Sequence, residues 1–155
     1  SLPAWFNGEF PQEPSLFGYA EAPIAGGDKA GAMTKAEEAS MAYLGKELDL
    51  LLKLIKADHE EQVAEIATRY PVSEFNAHVD AAAEAALSEV VLVEEFVDEG
   101  HSPPRLLVLH KLPIEAIFKA IDARQELPDE QRSRVRNYAP DFTDAVLAGL
   151  ARGSE

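Results

Sequence analysis

The sequence predicts an α+β domain in which one long helix packs across a three-stranded antiparallel sheet. The chain order is β-α-β-β, with an extra helix before the hairpin and helices at the C-terminus. Three observations predict it. From about Lys29 to Arg69 apolar residues recur three and four apart, the spacing of one helix face. The runs EVVLVEEFVD (89–98) and RLLVLHKL (105–112) flank the turn Glu99-Gly100-His101-Ser102-Pro103, which reads as a hairpin. A shorter run, Leu16 to Ala22, is partly aromatic and lies between Pro14 and Pro23, which suits a first strand. The 155 residues read as a single domain: an aromatic, proline-rich arm over 1–15, an α+β core over 16–113, and C-terminal helices over 114–155.

The arm, SLPAWFNGEFPQEPS, has three prolines and a glycine, which forbid a regular element. Yet Trp5, Phe6 and Phe10 are too apolar to leave in water without reason. They are expected to pack on the body and close one end of the helix–sheet core. Trp5 emission should then be blue-shifted, and deleting residues 1–10 should cost more than about 1 kcal/mol. Gly18, inside the first strand, marks a bulge or a close neighbour. Asp28 is placed to cap the long helix.

The long helix presents Met33, Ala36, Ser40, Tyr43, Leu44, Leu48, Leu51, Leu52 and Ile55 on one side. Leu48, Leu51 and Ile55 are expected to face the hairpin. The small residues Ala32, Ala36 and Ala39 favour close approach to a sheet. The polar turn Asp58-His59-Glu60-Glu61 suggests a bend, and the helix should end before Pro71. A second helix is expected over Ser73–Leu87, capped by Ser73, with Phe75, Val79, Ala82, Ala83 and Ala86 inward. In the first hairpin strand both faces are apolar up to Val93. One face should therefore pack on the long helix, and the other should be covered by the C-terminal helices or by another subunit. Pro113 suits a first helical position, and Ile114, Ile117, Phe118 and Ile121 follow at helical spacing. Pro128-Asp129-Glu130 and Pro140-Asp141 each read as the start of a further helix. Phe142, Val146 and Leu150 form one side of the last.

Composition narrows the function. Apolar residues are 46% and charged residues 27% of the chain, ordinary for a globular protein. A chain this long buries about 68–70% of its unfolded surface and needs no covalent staple. Twenty-eight acidic against 14 basic residues leave a net charge of −14, which repels phosphate backbones and anionic lipid. Nucleic acid is therefore not an expected partner. The absence of cysteine removes disulfides, thiolate metal sites and thiol nucleophiles.

The chemistry-bearing residues do not form a reaction site at the level of sequence. His59, His78, His101 and His110 include no i, i+4 pair and no HExxH. His59 sits in a charge run that reads as solvated, His110 reads as an exposed or half-buried strand residue, and His101 lies in a turn. Gly26 and Gly31 have phosphate-loop spacing, but Ala32-Met33 stands where Lys-Ser/Thr is required. The Gly26-Gly27 pair is then a flexible helix entry. Ser102 has no GxSxG context. Glu37-Glu38, Glu60-Glu61 and Glu94-Glu95 are sequence neighbours, whose side chains diverge. Arg132, Arg134 and Arg136 are the only basic cluster, and pairing with the protein's own carboxylates is the default reading, with docking of an acidic partner as the alternative. No catalytic, cofactor-binding or metal-ligating residue is assigned, and no cofactor. Divalent metals, nucleotides and NAD are expected to leave the melting temperature unchanged.

One pattern is family-like. Pro3-Ala4-Trp5-Phe6, a glycine-containing strand Leu16 to Ala22, an alanine-spaced long helix, VEEFVD and RLLVLHKL follow in that order. In this the chain resembles the small bacterial surface-lipoprotein family typified by the twenty-kilodalton outer-membrane lipoprotein. It is also similar to the N-terminal domain of the flagellar T-ring assembly protein. The resemblance spans roughly residues 3–113. It implies a dodecin-like β-α-β-β unit, no enzymatic activity, protein partners, and a place in the bacterial cell envelope (periplasm, lipid-anchored at the outer membrane). The helix at 73–87 and the C-terminal helices depart from the family pattern. The chain begins Ser1-Leu2-Pro3, as a processed or trimmed chain does, and an upstream signal peptide and lipid-bearing cysteine are expected; membrane contact would run only through that anchor. The expectation is a non-enzymatic envelope or flagellar-assembly component. The alternative is a dodecin-like homo-oligomer whose outer sheet face, with Val91, Val93 and Val97, lines a shared small-ligand pocket.

Overall fold

The computed structural model describes residues 1–66 and 70–153. The order of elements is β1 (Ser15–Pro23), α1 (Lys29–Ile66), α2 (Val72–Ala86), β2 (Val91–Asp98), β3 (Arg105–Pro113), α3 (Ile114–Asp122) and α4 (Asp129–Gly153), with short 3-10 turns at Ala4–Asn7, Ala25–Gly27 and Leu87–Glu89. The three strands form one antiparallel sheet in the order β1-β3-β2, and α1 lies across it, as the sequence predicts. Among the described residues no helix is long and apolar enough to cross a membrane.

β1 pairs with β3 from Ser15↔Pro113 to Pro23↔Arg105. Leu16, Gly18, Ala20 and Ala22 therefore share one face with Leu112, His110, Val108 and Leu106. That face meets α1. Ala22, Leu106 and Val108 pack with Ala32 and Ala36, and Leu16 and Leu112 share a cluster with Leu44 and Leu48. The helix thus runs antiparallel to β1. Asp28 caps it: Gly31 N–H donates to Asp28 Oδ1 at 2.9 Å. Gly18 is the close neighbour the sequence suggests, not a bulge. A Cβ there would collide with the Ser40 carbonyl oxygen and come within 2.8 Å of Leu44 Cβ.

α1 is longer than the sheet, so its second half packs on helices instead. Lys56 pairs with Asp80 of α2 at 2.7 Å, and Asp58 with Arg134 of α4 at 2.9 Å. Leu51 and Ile55 consequently join Phe75, Val79, Ile117, Ile121, Val135 and Phe142 in a helical core. The expectation that they face the hairpin is widened: the same core holds Leu112 of β3, but α2, α3 and α4 supply most of it. Leu51 is fully buried, and Leu51→Ala should lower stability by about 2–5 kcal/mol in urea unfolding. A loss under about 0.5 kcal/mol would contradict this packing.

Other helix boundaries also differ. α1 runs uninterrupted through Asp58–Glu61 to Ile66; its last predicted residues, 67–69, lie outside the described ones. α2 starts at Val72 with Pro71 as N-cap, and Ser73 makes no cap bond. Pro113, predicted at the first helical position, is instead the N-cap of α3, which begins at Ile114. The two predicted C-terminal helices are one, α4, with Pro140 inside. Pro140 cannot donate to the Arg136 carbonyl, but both residues are exposed, so the freed oxygen can meet water and the helix survives. Phe142 and Val146 point inward as predicted; the Leu150 side chain lies outside the described ones.

The face of the sheet away from α1 is covered by the N-terminal arm. Phe17, Leu107 and Leu109 cluster there with Trp5, and Phe6, Phe10, Tyr19 and Phe96 pack around them. Phe10 stacks on Phe17 at 5.1 Å between centroids. Tyr43 of α1 reaches Tyr19 at 4.8 Å, and burial, with Tyr19 and Glu47 close by, pushes its phenol up to about 12. Two expectations are corrected. The arm covers a sheet face rather than one end of the core, and the C-terminal helices pack on α1 and α2 rather than on the hairpin.

Candidate interaction surface

With the order β1-β3-β2, the edges of the sheet are β1 and β2. α1 lies over β1 and β3, and Tyr43 and Phe10 close around Tyr19 on β1. The outer edge of β2 has no such cover among the described residues. Val91, Leu92 and Val93 are 47%, 44% and 41% exposed. An edge strand presents alternate N–H and C=O groups outward, so an apolar strip here adjoins unpaired backbone.

Local sequence explains the geometry. β2 pairs with β3 as Leu92↔His110 and then Glu94↔Leu109, so Val93 is the extra residue of a bulge. The bulge directs Glu94 to the outer face, where its Oε2 accepts the Trp5 Nε1–H at 3.0 Å. Glu95 lies on the α1 side and meets Lys29 at 3.3 Å. Asp98 accepts from Arg105 Nε at 2.8 Å, which holds its carboxyl below the usual range. Val91, Val93 and Val97 therefore do not share one outer face. Val97 packs on the α1 side with Ala22, Ala36 and Val108, and the arm already fills the outer face. At its start the edge adjoins an open depression of about 520 Å³ lined by Ala85, Ser88, Glu89, Ala116 and Ala120 among others.

The histidines are scattered. His59 is 1% exposed, against the expectation of a solvated run. Its Nε2 donates to the Tyr70 carbonyl at 3.1 Å and its ring meets Phe75 edge-on at 4.0 Å. His78 Nδ1 accepts from Arg124 Nη2 at 2.9 Å. His101 stays in its turn, with Nδ1 2.8 Å from the Pro103 carbonyl. His110 is more buried than expected, at 7%, and its Nδ1 lies 2.8 Å from Ser40 Oγ. This is the one serine–histidine pair the fold assembles among the described hydrogen bonds, and sequence reasoning placed Ser40 on the inward face without pairing it. Ser40 is fully buried on the sheet-facing side of α1, and the pair ties helix to sheet.

Burial lowers the His110 pKa, partly opposed by the nearby Glu37 carboxylate of α1; its strand neighbours Gly18 and Leu92 are uncharged. The unfolded chain therefore takes up this proton first, near pH ~6.5. Folding stability is present above that pH and falls as pH drops through it. His110→Gln should flatten part of the fall in melting temperature between pH 7.5 and 5.0. An unchanged slope would remove His110 as its source.

The arginine cluster is consumed internally. Arg134 binds Asp58 through two bonds of 2.9 and 3.1 Å. Arg132 bonds the Leu127 and Asp122 carbonyls and Asp129. Arg136 pairs with Asp122. Gly26 and Gly27 adopt φ of 59° and 76° at the helix entry, where only glycine is at ease. Among the described residues no group of three His, Asp or Glu is arranged to hold a metal ion. What the surface offers is thus an α+β domain with one covered sheet face, one helix-packed face and one open edge. Comparison with protein-family models, curated proteins and solved structures finds no match.

Proposed function

We propose that this chain is a non-enzymatic protein-interaction domain that docks a partner along the β2 edge. The observation behind this reading is the exposure of Val91, Leu92 and Val93 beside unpaired strand backbone; the exposed Leu50 and Leu54 lie inside α1, where the backbone is already paired. Strand addition uses these two features together: main-chain hydrogen bonds give affinity and adjacent apolar contacts give selectivity. The ordered family-like pattern from Pro3 to Leu112 supports placing the domain in the bacterial envelope, as an assembly or adhesion component.

A photoreactive amino acid at position 93, in cells that express the chain, tests the edge. One discrete adduct should form there, should vanish with Leu92→Lys, and should not form from exposed position 49 on α1. Equal labelling from both positions, or none from 93, would discard the reading. Fractionation with the membrane tests the envelope assignment separately.

A further inference from the structure

We infer that the occupant of the β2 edge is an extended partner segment with an apolar block and a basic block, and not a second copy of this chain. The inference rests on the reading of β2 as a docking edge and names the chemistry of its partner. Along the strand the surface changes character. Val91, Leu92 and Val93 are apolar and exposed, and Glu94 and Glu95 follow on opposite faces. Glu89 precedes the strand and lines the adjoining depression. Glu95 is paired with Lys29, more than half exposed, and Lys119 lines the same depression as Glu89. Glu94 is bound by an uncharged indole N–H. A strand laid on this edge meets hydrocarbon over three residues and negative charge over the next two, whichever face its side chains take.

Complementarity then asks for Val- or Ile-like residues beside Val91–Val93 and Lys or Arg beside Glu94–Glu95. The same charges oppose self-pairing. Two β2 strands joined antiparallel about a two-fold axis in full overlap set Glu94 opposite Glu95 twice, and the register that matches Val91–Val93 with itself sets Glu95 opposite Glu89, between chains of net charge −14 each. The bulge at Val93 adds a twist that mismatches a second bulged edge. Both devices blunt aggregation and leave a cationic strand as the favoured guest.

The probes are fluorescent hexapeptides, Lys-Arg-Lys-Val-Ile-Val and its reversed sequence, titrated into the full chain at low salt. One of the two orders should bind saturably. Glu in place of the basic residues should weaken binding at least tenfold. Alternate N-methyl amides should do the same by removing strand donors. Val91→Lys with Val93→Lys should weaken it at least tenfold. Leu50→Lys with Leu54→Lys, on the exposed side of α1, should change nothing. Equal binding of acidic and basic peptides would overturn the charge argument. Micromolar dimers in sedimentation, lost in the Val91→Lys/Val93→Lys variant, would make a second copy the occupant and overturn the inference. If no peptide binds while the position-93 adduct persists, the partner chemistry is wrong and the edge reading stands. If both fail, the edge reading falls too.

Discussion

Gly18→Ala should be among the most damaging single substitutions in the chain, lowering stability by more than about 3 kcal/mol, above the range usual for one extra methyl in a packed core. The reason is the identity of the obstacle. The added Cβ would strike the Ser40 carbonyl oxygen and would also crowd Leu44 N at 3.0 Å. Neither is the end of a flexible side chain. Relief requires α1 to lift from β1, and that movement loosens the Ala22–Ala32–Ala36 contact and the Ser40–His110 bond together. Gly45 is the internal control. It follows Leu44 directly on α1, and a Cβ there meets nothing within 4 Å. Gly45→Ala should stabilise the domain by about 0.5–1 kcal/mol through helix propensity alone. Urea unfolding of the pair reads both effects. A Gly18→Ala cost below about 1 kcal/mol would show that helix and sheet are further apart than described.

Much of this architecture was legible in local sequence because burial has a period. Phe75, Val79, Ala82, Ala83 and Ala86 were chosen by spacing alone, and all are buried. So are Ala36, Ser40, Leu44, Leu48, Leu51, Leu52 and Ile55. The charged neighbours of His59 suggest a solvated run, but its position decides its burial. Leu48, Leu52, Ile55, His59 and Gln62 continue one buried stripe at three- and four-residue steps, while Asp58 and Glu60 point elsewhere. What periodicity cannot contain is strand order. A valine-rich strand covered on both sides and an edge strand with exposed valines have the same local pattern. Only the placement of β3 between β1 and β2 leaves Val91–Val93 open. The Ser40–His110 pair, joined across seventy residues, was invisible for the same reason.

The arm had a clear composition and no clear address, and its address decides the second large effect. Deleting residues 1–10 should cost at least about 3–5 kcal/mol, the range for truncating one buried large aromatic. Burial of the arm's own side chains alone accounts for about 1 kcal/mol. The structure adds what lies underneath. Trp5 is 6% exposed, and its removal with Phe6 and Phe10 would uncover Phe17, Leu107 and Leu109. Phe17 would lose its stacking partner and Glu94 its indole donor. Both faces of β3 would then be apolar, with only the α1 side covered. The truncated chain should bind a hydrophobic dye and tend to self-associate through the uncovered face. Trp5→Ala in the full chain separates loss of one anchor from loss of the cover and should fall in the same 3–5 kcal/mol range. Trp5 is the only tryptophan, so its fluorescence reports the docked arm directly. Native emission should be blue-shifted, and quencher access should rise in the same urea transition that unfolds the helices. Emission like that of free tryptophan, unaltered by denaturant, would detach the arm from the sheet and leave the outer face, rather than the β2 edge, as the surface in need of a partner.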